Sequence, residues 1–82
     1  MIMNGQKLHD GAYVICEHDD VITYGCMKSR NEHHIIFYVS YTFNTVTCRY
    51  SGLMYGAHVT SKYIRPMDRE EAMRFDNRIS KM

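Results

Sequence analysis

The chain has 82 residues and a mass of 9.7 kDa, which points to a single domain with a small core. An apolar share of 45% against 23% charged residues excludes a disordered tail. Ten Lys plus Arg against nine Asp plus Glu exclude a strongly basic nucleic-acid coat and a polyacidic nucleic-acid mimic alike.

No run approaches the roughly 18 apolar residues of a membrane span, and residues 1–9 lack the basic-then-apolar layout of a secretion signal. The three cysteines, Cys16, Cys26 and Cys48, are too widely spaced for a disulfide framework and fit a reducing, cytoplasmic setting. Each falls in an apolar stretch, where a free thiol acts as a small hydrophobe. Without such staples a chain this short must close its core efficiently or share one, so a homo-oligomer stays open.

His9-Asp10-Gly11 signals a turn, and Ala12-Tyr13-Val14-Ile15-Cys16 then reads as a strand. The acidic stretch Glu17-His18-Asp19-Asp20 interrupts it as a loop tip that serves solubility, faces a basic partner, or occupies a nucleic-acid-binding groove. Residues 21–27 are rich in β-branched and aromatic side chains, with Gly25 predicting a bulge or bend. Residues 28–32 are polar and read as a loop. The strongest strand pattern covers residues 34–41: Ile35, Phe37, Val39 and Tyr41 on one face, His34, Ile36, Tyr38 and Ser40 on the other. That predicts a central strand with one dry face and one half-wet, tyrosine-bearing face.

Phe43-Asn44-Thr45 predicts a short turn, and residues 45–50 then alternate, with Val46, Cys48 and Tyr50 against Thr45, Thr47 and Arg49, as the second arm of a hairpin. Ser51-Gly52 breaks this arm, and residues 53–59 fit either one more strand or an irregular segment. Residues 62–65 form a last extended piece, because the residue before Pro66 avoids the helical region. A helix is predicted over residues 68–81. Asp68 is its N-cap, Glu71 completes a capping box, and Arg78 and Lys81 sit where the helix dipole favours cations. Ala72, Phe75, Ile79 and Met82, widened by Met73, form its apolar stripe, which would lie on the strands or on a partner.

The expected fold is therefore mainly β: one domain over residues 1–82, with a small antiparallel five-stranded barrel-like unit over residues 8–65 and a C-terminal helix over 68–81. Residues 56–65 resemble the closing segment of Src-homology-type barrels, where a Gly-containing strand leads through a short turn into a last strand marked by Tyr-Val or Tyr-Ile, here Tyr63-Ile64. Gly11-Ala12-Tyr13-Val14-Ile15 followed by Gly25 is similar to the opening of Tudor- and KOW-type barrels. The resemblance implies a surface that recognises a partner. The chain departs from the proline-binding members in having no Trp and no Pro before the closing Tyr, which argues against polyproline recognition.

Five histidines (His9, His18, His33, His34 and His58) with the cysteines suggest metal ligation, but no Cys-x-x-Cys pair is present, and adjacent His33 and His34 would point to opposite faces of a strand. A Cys26–His34 or Cys26–His58 pair could meet across strands, yet no strained nucleophile turn or oxyanion loop accompanies any Cys. No enzyme activity, metal site or cofactor is expected. Surface recognition fits better. Residues 1–41 hold five acids and three bases, whereas residues 42–82 hold four acids and seven bases. The candidate partner-binding residues are Tyr38, Arg49, Tyr50, Tyr55, Lys62, Tyr63 and Arg65, which combine stacking surfaces with carboxylate- or phosphate-binding cations. Arg69, Arg74 and Arg78 form a further basic set on the helix, where Glu70–Arg74 pairing is the simpler explanation. The expected function is a non-enzymatic module that modulates or inhibits a partner protein, of the kind phages and mobile elements direct at host machinery. Binding to nucleic acid through Arg, Lys and Tyr is the alternative, and a small Cys/His enzyme or metal protein the third.

Overall fold

A computed structural model describes residues 11–31, 34–60 and 63–81. His9, Glu32, His33, Lys62 and Met82, which carried parts of the reading above, lie outside the described residues. The chain is mainly β with a C-terminal helix, as its alternation predicts. The strands are β1 (Tyr13–His18), β2 (Val21–Asn31), β3 (His34–Asn44), β4 (Arg49–Tyr50), β5 (Met54–Tyr55), β6 (His58–Thr60) and β7 (Tyr63–Pro66), followed by α1 (Arg69–Lys81). They form one antiparallel sheet in the order β4-β3-β2-β1-β7, and β5 and β6 also pair with β3.

The inner face of the sheet buries Val14, Cys16, Met27, Ile35 and Phe37, with Val59 of β6 and Ile64 of β7 packed against them. β6 and β7 belong to opposite ends of the pairing order, so their convergence on one cluster means that the sheet curls around its inner face. No strand pairing joins β6 to β7 among the described residues, so the sheet is curled but not closed into a cylinder.

Several local expectations change. Residues 28–31 continue β2 rather than forming a loop, because their backbone pairs with β3 as far as Asn31↔His34. The acidic tip is shorter than expected: Glu17 and His18 belong to β1, and Asp19, in the left-handed region at φ 53°, makes the turn with Asp20. Residues 45–48 are a turn, not a strand. The Asn44 side chain accepts the backbone N–H groups of Val46 and Thr47 at 2.9 Å each, which curls the chain locally and leaves Val46 70% exposed. Only Arg49 and Tyr50 remain as the returning strand. Gly56, at φ 71°, divides residues 54–60 into two short strands.

The largest departure lies in the central strand. Cys26 pairs with Val39, Met27 with Phe37 and Ser29 with Ile36, which leaves Tyr38 on β3 and Lys28 on β2 as extra residues. Each bulge shifts the alternation by one. Ser40 therefore joins Phe37 on the buried inner face, while Val39 and Tyr41 move to the outer face with Ile36. Gly25 is not itself a bulge. It faces Ser40 just beside the irregularity, and a Cβ there would lie 2.4 Å from Cδ1 of Phe37, so the Phe37 ring occupies the space a side chain would need.

Candidate functional site

The outer face of the sheet has two parts, and α1 covers one of them. Asp68 caps the helix as predicted: its Oδ1 accepts the Glu71 N–H at 2.8 Å, and Glu71 Oε1 accepts the Asp68 N–H at 2.9 Å. The Arg65 guanidinium of β7 forks onto the same carboxylate at 2.9 and 2.8 Å. That fork, together with the cap, holds the Glu71 carboxyl at about 2, well below its ordinary value. One turn further on, the buried Phe75 ring lies 5.1 Å from Tyr13 and 5.5 Å from Tyr41. The Tyr13 hydroxyl donates to Asp76 at 2.6 Å, and this hydrogen bond to a carboxylate is the main reason its phenol is pushed up to about 12. At the far end the Arg78 guanidinium lies over Tyr50, 3.5 Å from the ring centre, and 5.3 Å from the centre of the Tyr41 ring. The helix thus crosses the strands from β7 to β4 and packs on its own sheet. Of its predicted stripe, Phe75 is buried and Ala72 and Ile79 half-buried, while Met73 is exposed.

The other part of the outer face carries no helix. His34 and Ile36 of β3 stand beside Thr60 and His58 of β6, and Tyr55 of β5 stands beside Val39. The two bulged residues meet here, with Lys28 Nζ 5.9 Å from the centre of the Tyr38 ring. Ile36, Tyr38 and Tyr55 are exposed at 38%, 47% and 76%.

The predicted site residues are therefore divided. Tyr38 and Tyr55 come to the open part of the face. Tyr50 and Arg65 hold α1 in place. Arg49 is exposed beside Asn44 at the β4 edge, Tyr63 is exposed at the opposite edge on β7, and Lys62 lies outside the described residues. Among the helix arginines, Arg74 pairs with Glu70 at 3.3 Å, as its spacing suggested.

Residue-by-residue reading missed His58 as the neighbour of His34. One signal was available: residues 33–67 contain no Asp or Glu, so any surface built mainly from them lacks negative charge. Cys16 is buried, which pushes its thiol up to about 11, whereas Cys48 is exposed on the turn rather than inside a strand. Among the described residues no group of three or more His, Cys, Asp or Glu is placed to hold a metal ion, and no helix is long and apolar enough to cross a membrane. No family model matches this chain, and neither a curated protein nor a solved structure matches it.

Proposed function

We propose that this chain is a non-enzymatic binding module that docks a partner protein on the open part of its outer face and so modulates or inhibits that partner. The observation that carries this reading is the grouping of Ile36, Tyr38 and Tyr55, large and exposed, on adjacent strands of a sheet whose other outer surface is already covered. Rigid aromatic side chains on strands lose little entropy when buried and make effective anchors. The test compares capture from a native-host lysate by the wild-type chain, a Tyr38→Ala/Tyr55→Ala double variant and a Tyr63→Ala variant. The reading expects a partner held by the wild type and by Tyr63→Ala but released by the double variant, with circular dichroism unchanged. Equal capture by all three would remove the open face from recognition.

A second reading, nucleic-acid binding on the same face, draws on Lys28 beside Tyr38 and on the absence of acids from residues 33–67. It expects affinity that falls steeply with salt and weakens in a Lys28→Ala variant regardless of base sequence. Filter binding that detects nothing even at low salt would eliminate it.

A further inference from the structure

Resting on the docking reading above, we infer that the open part of the outer face takes a short amphipathic α-helix of the partner protein, laid beside α1 and antiparallel to it. α1 crosses β3 at Tyr41, with the Phe75 ring and the Arg78 guanidinium 5.5 and 5.3 Å from the tyrosine ring centre. One flank of α1 turns toward the open part. Its Asp76 accepts from Tyr13, which shares a cross-strand row with Cys26, Val39 and Tyr55. Ala72 and Ile79, four residues before Asp76 and three after it, lie on the same flank and are half-buried. The opposite flank, with Glu71 and Arg74, faces Tyr24 and Tyr50. An apolar trough results, with Ile79 on its wall and Tyr38, Val39 and Tyr55 on its floor.

Spacing supports a helix as the occupant. Packed helices lie about 8–10 Å apart, which is about three residues of strand. Counting about three residues along β3 from Tyr41 toward His34 reaches Tyr38, so a second helix at ordinary distance from α1 rests on Tyr38 and the Val39–Tyr55 pair. The floor spans β2, β3 and β5, about 14 Å, which is the length of a helix of about ten residues. From His34 to Val39 it extends about 20 Å along β3. That area is well below the roughly 800 Å² each partner buries in a standard interface, so it suits one segment better than a second copy of the chain. An added strand would bond to the β5–β6 edge and leave Tyr38 and Ile79 uncovered.

Charge sets the direction. Among the described residues the charged side chain on the floor is Lys28, beside Tyr38 on the β2 side, and residues 33–67 contain no acid. A cation there favours the C-terminal end of a helix, whose carbonyls carry partial negative charge. α1 runs from the Arg65 fork on β7 to Tyr50 on β4. A partner helix that starts over Tyr55 and ends at Lys28 therefore lies antiparallel to α1, with the two dipoles opposed. Lys28 repels the bases that commonly occupy a last turn, so the matching helix ends without Lys or Arg.

The test pans a displayed library of random peptides, each about 16 residues long, on the chain, with the Tyr38→Ala/Tyr55→Ala double variant as counter-selection. Enriched peptides are expected to carry apolar residues at i, i+3, i+4 and i+7, no internal Pro, and no Lys or Arg in the last turn. A synthetic copy of the most enriched peptide should gain helical circular dichroism on binding. A nitroxide at its C-terminus should broaden amide resonances around Lys28, and one at its N-terminus those around Tyr55. Lys28→Glu should weaken the peptide about fivefold, whereas Met73→Ala, on the exposed side of α1, leaves it unchanged. No enrichment over the double variant, apolar residues in strict alternation, no gain of helicity, or the reverse broadening pattern would overturn the inference. So would a wild-type chain that sediments as a dimer through Tyr38, because a second copy then covers the floor. Lysate capture separates this failure from that of the docking reading. Capture that still depends on Tyr38 and Tyr55 removes the helix alone; capture indifferent to both removes the two together.

Discussion

Along β3 the outer face is covered at one end and open at the other. Toward Asn44, Tyr41 lies beneath Phe75 and Arg78 of α1 and is 4% exposed; toward His34, Ile36 and Tyr38 remain accessible. Geometry explains the difference. The helix has 13 residues, so it is about 20 Å long, close to the width of five strands spaced about 4.8 Å apart. It reaches from the Arg65 fork on β7 to Tyr50 on β4. β3 has 11 residues and runs about 36 Å, whereas a helix laid across it is only about 10 Å wide. One crossing helix can hide a band of the sheet but not the length of its central strands. The covered band therefore contributes stability, and the open band stays exposed for the docking we propose.

The sharpest test of this division is Phe75→Ala. It removes the side chain that joins α1 to Tyr13 and Tyr41, and denaturant unfolding should show a loss of about 3–5 kcal/mol. A loss below about 1 kcal/mol would mean that the helix is not part of the cooperative fold. Next in size is Gly25→Ala, where the new Cβ meets the Phe37 ring at the point where β3 exchanges its faces. Overpacking there should cost about 1–3 kcal/mol, with loss of the tight near-ultraviolet signature of the tyrosines.

Acid should act on the covered band through Glu71. Its carboxyl titrates at about 2 when folded against an ordinary 4.5, so its contribution is complete above the ordinary value and disappears as pH falls through the folded one. Stability should decline between about pH 4.5 and pH 2, and the decline should flatten in Glu71→Gln, which can still cap the helix but cannot pair with Arg65. Alkali acts through Tyr13. Its phenol, raised from 10 to about 12, favours the fold at lower pH and loses that effect as pH rises through the folded value. Burial also raises the Tyr24 and Tyr41 phenols, so phenolate absorbance should show several late-titrating tyrosines and lose one of them in Tyr13→Phe, a variant destabilised by about 1 kcal/mol. The smallest effect belongs to the open band. Tyr38→Ala and Tyr55→Ala should stay within about 0.5 kcal/mol of the wild type, and a larger loss in either would place that side chain in the fold rather than in recognition.

Much of the local structure was legible from neighbouring residues. The alternation of residues 34–37 marks a strand because inward and outward side chains must alternate on a pleated backbone, and Asp68 with Glu71 marks a helix start because their reciprocal bonds span only three residues. The site was legible in fragments. Tyr38 and Tyr55 could be nominated as aromatic, but so could Tyr50, and its aromatic face is taken by Arg78 from a helix distant in sequence. The His34–His58 stack was hidden for a similar reason, since nothing local shows that β6 lies beside the start of β3.

From the chain alone came the β character, the C-terminal helix, its cap and the shortage of acids in the middle third. These properties depend on contacts a few residues apart or on composition. The exchange of faces at Lys28 and Tyr38, the direction of α1 and the division into covered and open bands belong to the folded molecule. A bulge is counted only against the partner strand, and the length of a helix matters only once the sheet beneath it has a width.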